Sequence, residues 1–217
     1  MHNQVVRYFF HLQKSSKIGS YQYSAPLNIK EIHMIKEHRR ELIESIIKEE
    51  LNMFLAVKNR GGTSPCQEQP DSFRIMREIT HNVLPDDVLE SYLADLLKAI
   101  QDGRNLMTEK YALMEGLIPV QNDSPLIVEI VCLESEWRKE VAAQFPRSVQ
   151  ADGHEAFCVY LGCELQTYSS ETLSAYHHYA AAAQQEHGNL VRERYELLMR
   201  KLGYDSLSHC EQSLKTS

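Results

Sequence analysis

The chain has 217 residues, of which 43% are hydrophobic and 24% charged, and its net charge is -7. This length is sufficient for one sizeable core or for two small lobes, and the composition is that of a soluble globular protein. The acidic balance argues against nucleic acid or an anionic membrane as the main partner, because both require clustered Lys and Arg. No apolar run approaches the roughly 20 residues of a membrane-spanning helix.

The first 33 residues differ from the rest in charge and patterning. Four basic residues and one acidic residue give this segment a charge of +3, and its apolar stretch VVRYFF is too short for a signal-peptide core. We interpret residues 1–33 as a loosely ordered extension and Met34 as a natural alternative start. A targeting presequence or a docking arm is the alternative interpretation.

From residue 35 onward the pattern is helical. Apolar residues recur at three- and four-residue steps between Leu42 and Leu55, which is typical of an amphipathic helix. The glycines after Arg60 and then Pro65 predict that this helix ends near Asn59. Since no alternating run of β-branched residues appears, we predict an all-α chain. Its helical domain spans residues 34–204, and a C-terminal tail spans 205–217.

Two halves of this domain resemble each other. An offset of 84 positions, the difference between 42 and 126, places residues 42–114 on 126–198 without a gap. GRNLMTEKY then aligns with HGNLVRERY, so Asn105 and Asn189 are the predicted caps of corresponding helices. We predict two tandem repeats of three to four helices, 35–116 and 122–202. Because each has an apolar face to bury, they should pack as one pseudo-two-fold helical bundle.

Four glutamates are shared by the two repeats. Glu50 and Glu134 lie within apolar stripes, and Glu109 and Glu193 lie between leucines on their helices. A buried carboxylate is costly unless it is paired, protonated or metal-bound. If the four side chains converge near the axis, they offer the hard oxygen ligands of a dinuclear iron or manganese centre. Such sites usually add two Glu-x-x-His pairs, and only one such pair, at Glu78, is present.

A structural interpretation of the same glutamates is also open. Acidic residues are favoured in the first helical turn, where Glu109 and Glu193 are expected. The other two could accept hydrogen bonds from buried tyrosines or from an arginine such as Arg77 or Arg104. Tyrosines at corresponding positions are candidate ligand-binding residues, although a buried tyrosine with a bonded hydroxyl is the commoner case: Tyr92, Tyr111, Tyr176 and Tyr195.

The five cysteines are irregularly spaced and form no CxxC pair. They predict neither a disulfide framework nor a zinc site, so a reducing cytoplasm is the simplest setting. Cys66 follows a glycine-containing loop and precedes a predicted helix, a place that stabilises a thiolate. It is a candidate ligand-binding or nucleophilic residue, although no base is evident beside it.

Several strings resemble a bacterial family catalogued as domain of unknown function 4125. They are IIKEELNMFLAV, CQEQPDSFRIMR, LESYLADL and GRNLMTEKY, and the resemblance extends over roughly residues 35–204. The resemblance implies a cytosolic bacterial protein and carries over no activity. It directs attention to the matching positions, including Cys66, Arg104 and Tyr111.

Two classes of function remain open from the sequence. One is a carboxylate-lined site for a metal or a small polar ligand where the repeats meet. The other is a non-enzymatic interaction or regulatory module, with a protein partner and structurally paired glutamates. No phosphate-binding loop, dinucleotide fingerprint, HExxH or GxSxG motif appears, so nucleotide-dependent and common hydrolase classes are not favoured.

Overall fold

The computed structural model describes residues 29–58, 66–150 and 152–215, and most of the predicted N-terminal extension therefore lies outside the described residues. Contacts divide the chain into two units, Met1–Ile35 and Lys36–Ser217. In the first unit, the described residues form the first turns of a helix that begins at Ile29, before Met34. Apart from the first turns of this helix, all features discussed below belong to the second unit.

The described residues form nine α-helices and no strand, which confirms the all-α prediction. None of these helices is both long and apolar enough to cross a membrane. In chain order the helices are α1 (Ile29–Leu55), α2 (Pro70–Asn82), α3 (Asp86–Gln101), α4 (Leu106–Met114), α5 (Pro125–Gln144), α6 (His154–Leu165), α7 (Ser170–Gln185), α8 (Leu190–Lys201) and α9 (Leu207–Ser213).

Three helices in each half begin at corresponding positions. Helices α2, α3 and α4 begin at residues 70, 86 and 106, and α6, α7 and α8 begin 84 residues later, at 154, 170 and 190. The cap predictions are confirmed: the Asn105 side chain accepts a hydrogen bond from the Thr108 amide, and the Asn189 side chain accepts one from the Arg192 amide. Each cap thus satisfies one of the free amides at a helix start.

The same two asparagines also tie their helices to the preceding part of each half. The side-chain amide of Asn105 donates to the carbonyl of Met53 at 2.9 Å, and that of Asn189 donates to the carbonyl of Trp137 at 3.2 Å. Met53 and Trp137 are again 84 residues apart. One side chain therefore fixes both the start of a helix and its position against α1 or α5.

The main core is built from apolar residues of both halves. Ile46, Leu89, Ile130 and Leu173 are fully buried within it. Across the halves, α3 packs against α7, α4 against α6, and α2 against α8. Helix α5 packs against α6, α7 and α8 of its own half. This arrangement brings the polar residues of α2 and α6 into the middle of the bundle.

The segment expected as a C-terminal tail contains helix α9. Leu207 and Cys210 on α9 are buried in a second, smaller apolar cluster with residues of α5 and α8. The Glu211 carboxylate accepts hydrogen bonds from the backbone amides of Arg147 and Ser148. Residues 207–213 thus belong to the packed body.

Candidate functional site

The carboxylate of Glu50 on α1 is fully buried and bonded from several sides. Arg77 on α2 donates from Nε to Oε2 at 2.9 Å and from Nη2 to Oε1. The Tyr92 hydroxyl donates to Oε1 at 2.8 Å, and Nε2 of His81 lies 3.0 Å from Oε2. These contacts confirm that Arg77 and a buried tyrosine pair with this glutamate. Nδ1 of His81 is buried and has no hydrogen-bond partner among the described residues.

Another core carboxylate, Glu164 on α6, is 5% exposed. It links the two halves because it accepts hydrogen bonds from residues of the first half. Arg77 reaches it as well, with Nη2 at 2.8 Å from Oε1 and Nη1 at 3.3 Å from Oε2. Lys110 on α4 donates its ammonium to the same carboxylate, and the Tyr168 hydroxyl donates at 3.2 Å. The Lys110 nitrogen also lies 3.3 Å from the ring centroid of Tyr160, a cation–π contact.

In the second half, Glu134 on α5 is fully buried and has a simpler set of partners. Arg194 on α8 donates Nη1 and Nη2 to its two oxygens, and the Tyr176 hydroxyl donates to Oε1. Glu134 and Tyr176 are offset by 84 from Glu50 and Tyr92. The arginine has a different origin, because α2 supplies it to Glu50 and α8 supplies it to Glu134.

These partners decide the protonation of the core carboxylates. Burial alone would raise the pKa of Glu50, but the charge of Arg77 and the contacts with His81 outweigh it and lower that pKa to about 2. The pKa of Glu164 is also lowered, because Arg77 and Lys110 outweigh burial. Burial lowers the pKa of Lys110, and Glu164 opposes this effect. Glu50 and Glu164 are therefore ionised at neutral pH and held in ion pairs.

An open cleft of about 440 Å³ lies beside these ion pairs. Residues of α2 and α6 line it, together with residues of α5, α7 and α8. Its charged lining comprises Arg77, Arg138, Arg194, Glu134 and Glu164. Its apolar and aromatic lining includes Met76, Ile79, Phe157, Tyr160, Leu161 and Leu198.

Two arginines in this lining have N–H groups that form no hydrogen bond with the described residues. Nε of Arg194 is buried and has no hydrogen-bond partner among the described residues. Arg138 uses Nη2 to donate to the carbonyls of Gln150 and Asp152, at 3.1 and 2.9 Å. An unpaired buried donor on a charged group costs about 1–3 kcal/mol or more, so an acceptor in the cleft would be favoured.

The structure does not bring the four repeated glutamates together. Glu109 forms a bidentate pair with Arg104 at the helix surface, at 2.9 and 2.6 Å, and Glu193 is exposed on α8. Within residues 29–58, 66–150 and 152–215, no group of three or more His, Cys, Asp or Glu side chains has the arrangement of a metal site. Glu78, of the one Glu-x-x-His pair, bonds Lys201 instead.

The other sequence candidates are dispersed. Tyr195 lines the cleft with Tyr176. Tyr111 is half-buried and lies 6.2 Å from Phe54, measured between ring centroids. Arg104 is exposed in its pair with Glu109. Cys66 is an exposed free thiol in the turn before α2.

Sequence reasoning missed the residues that complete the network. Two of these residues could have been found by aligning the two halves of the sequence, because NLMTEKY and NLVRERY both carry a basic residue directly before the shared tyrosine. These cations are Lys110 and Arg194, and both are core ion-pair partners. Glu164 has no such signal, since its counterpart 84 positions earlier is Thr80.

The described residues define a helical protein with buried ion pairs and a cleft beside them. The family described as "Protein of unknown function (DUF4125)" has a model that matches residues 40–212, and the chain belongs to this family. No curated protein matches the chain, and no solved structure matches it either.

Proposed function

We propose that the protein is a small-molecule binding module whose ligand enters the cleft between α2 and α6. The cleft carries the proposal. Its volume of about 440 Å³ falls within the roughly 300–1,000 Å³ of small-molecule sites, and it combines apolar walls with a few converging polar groups. Met76 and Tyr160 at this cleft are 50% and 39% exposed, which leaves apolar surface for a ligand to cover.

We infer further that the helical body consists of two copies of one unit, packed about a pseudo-two-fold axis. Exchanging the copies converts the packing of α4 on α6 into that of α8 on α2 and leaves α3 on α7 unchanged. The equal spacing of helix starts, caps and buried Glu–Tyr pairs supports the same inference. The ligand site then lies where the copies meet, and free thiols at all five cysteines suit a reducing cytoplasm.

The two halves differ in aromatic packing at one pair of corresponding positions. In the first half, Phe54 stacks on Phe73 with ring centroids 4.5 Å apart and an interplanar angle of 11°. The residues 84 positions later are Arg138 and Phe157, and the guanidinium carbon lies 5.7 Å from that ring. An arginine in place of a phenylalanine removes one ring from the packing. Arg138 and Phe157 both line the cleft.

The core glutamates have a structural role in this proposal. Glu50, Glu134 and Glu164 each accept bonds from a guanidinium group, so their oxygens already have cationic partners. A metal pair would have to displace these arginines and leave them buried without a counter-charge, which is costly. We therefore favour an organic ligand over a dinuclear metal centre.

A fragment screen by ligand-observed NMR tests the cleft directly. Thr80→Trp places a large side chain in the cleft without changing charge, and Thr108→Trp on the exposed face of α4 is the matched control. We expect fragments that bind the wild type and the control to lose binding to the Thr80 variant. If no fragment distinguishes the two variants, the cleft is not a ligand site.

A further inference from the structure

We propose that the ligand of this cleft carries an oxyanion, a carboxylate or a phosphate monoester, on an apolar or aromatic body. The inference rests on the proposed function and adds the chemical class of the ligand. Arg194 and Arg138 would hold the anionic group, and Tyr160, Phe157 and Met76 would contact the body.

The charge inventory around the cleft supports an anion. The charged residues that line it, together with their direct ion-pair partners, comprise four basic residues and three carboxylates. The basic residues are Arg77, Lys110, Arg138 and Arg194, and the carboxylates are Glu50, Glu134 and Glu164. Each carboxylate is bonded by at least one of Arg77, Lys110 and Arg194, whereas Arg138 has no carboxylate partner among the described residues. Its hydrogen bonds to described residues go to backbone carbonyls only.

The hydrogen bonds of Arg194 also favour an anionic ligand. Arg194 donates Nη1 and Nη2 to Glu134, and its buried Nε has no acceptor among the residues that the structure describes. The Nε–H group can only donate, so a ligand must bring an acceptor to satisfy it. A charged acceptor forms the stronger bond and is the one that compensates the extra positive charge.

The rest of the lining excludes a cationic ligand. The two carboxylates that face the cleft, Glu134 and Glu164, already accept three and four hydrogen bonds respectively from described residues. An ammonium group in the cleft would meet arginines and no free carboxylate oxygen. The apolar walls, in contrast, suit a phenyl or alkyl body next to the anionic group.

The test uses the full chain and a set of matched probes, in which several phenylalkyl and alkyl bodies each carry a carboxylate, a phosphate monoester, an alcohol or an amine. Dissociation constants are measured at pH 7.5 by calorimetry or ligand-observed NMR. We expect the anions to bind at least about tenfold more tightly than the alcohol of the same body, and the amine to bind more weakly still. The tighter of the two anions identifies the oxyanion.

Two variants assign the effect to the named arginines. Arg138→Gln removes the cation without a carboxylate partner among the described residues, and Arg194→Lys keeps the charge but removes Nε–H. Each should reduce the anion preference, the ratio of the anion's affinity to that of the alcohol with the same body, several-fold, whereas Arg200→Gln, at an exposed position on α8, should leave this ratio unchanged.

The possible failures are distinguishable. Alcohols or amines that bind as tightly as the anions, with binding lost in Thr80→Trp, would overturn the oxyanion assignment and leave the ligand cleft standing. An anion preference that persists in both arginine variants would also overturn it. If no probe of any charge binds, the proposed function fails together with the inference.

Discussion

The substitution Arg77→Met removes a side chain that bonds core carboxylates of both halves. Arg77 is 5% exposed, and its guanidinium donates to Glu50 on α1 and to Glu164 on α6. Methionine has a similar length and keeps the apolar contacts of the stem, so the change isolates the loss of charge and hydrogen bonds.

The size of the expected stability loss depends on the hydrogen bonds that the two carboxylates retain. Glu50 keeps Tyr92 and His81, and Glu164 keeps Lys110 and Tyr168. Breaking a buried ion pair by removing one partner costs about 3–5 kcal/mol. Four hydrogen bonds are lost, but the remaining donors compensate in part, so we expect a loss of about 3–5 kcal/mol in the free energy of unfolding.

Urea unfolding followed by circular dichroism measures this loss, with Arg104→Met as the control. Arg104 also forms a bidentate pair with a glutamate, but its side chain is 47% exposed. Exposed pairs contribute about 0–1 kcal/mol, so the control should lose no more than that. If Arg77→Met were no more destabilising than Arg104→Met, the buried ion pairs would not hold the halves together as described.

The pKa of Glu50, the two asparagine caps and the core carboxylates give three further tests. The pKa of Glu50 in the folded protein, about 2, lies below the ordinary 4.5. The Glu50 carboxylate therefore contributes on the order of 3 kcal/mol to the free energy of unfolding above pH 4.5. Urea unfolding should show that contribution disappearing as the pH falls from 4.5 toward 2, and a flat profile would contradict the pairing. Asn105→Ala and Asn189→Ala should each lower the free energy of unfolding by about 1–2 kcal/mol, because each removes a cap and a tether; unchanged thermal melting would refute both roles. Chelation with EDTA should leave the melting temperature unchanged, since arginines occupy the Glu50 and Glu134 oxygens; a clear drop would support a metal centre instead.

Local signals in the sequence were sufficient for the all-α class and for the starts of α4 and α8. Asn105 and Asn189 could be recognised as caps because capping depends on a few neighbouring residues. The burial of Glu50 and Glu134 could also be predicted, since each lies in an apolar stripe whose orientation periodicity determines. Buried tyrosines and Arg77 were also among the partners proposed for Glu50 from the sequence.

The remaining parts of the site depend on tertiary packing. Glu164 lies 87 residues from Arg77 and 54 from Lys110 along the chain, and no periodic pattern connects positions at such separations. The first-turn positions of Glu109 and Glu193 suited both a converging site and a surface pair. Only the packing of α4 and α8 decides between them, and it places Glu109 beside Arg104 at the surface.

The most direct test of the ligand cleft is a crystal structure of the protein soaked with the tightest-binding anion of the probe set. We predict that one oxygen of the anion lies about 2.7–3.2 Å from Nε of Arg194, with Arg138 beside it and the apolar body against Tyr160. Density for the anion outside the cleft, or an empty cleft at a saturating concentration, would contradict the account.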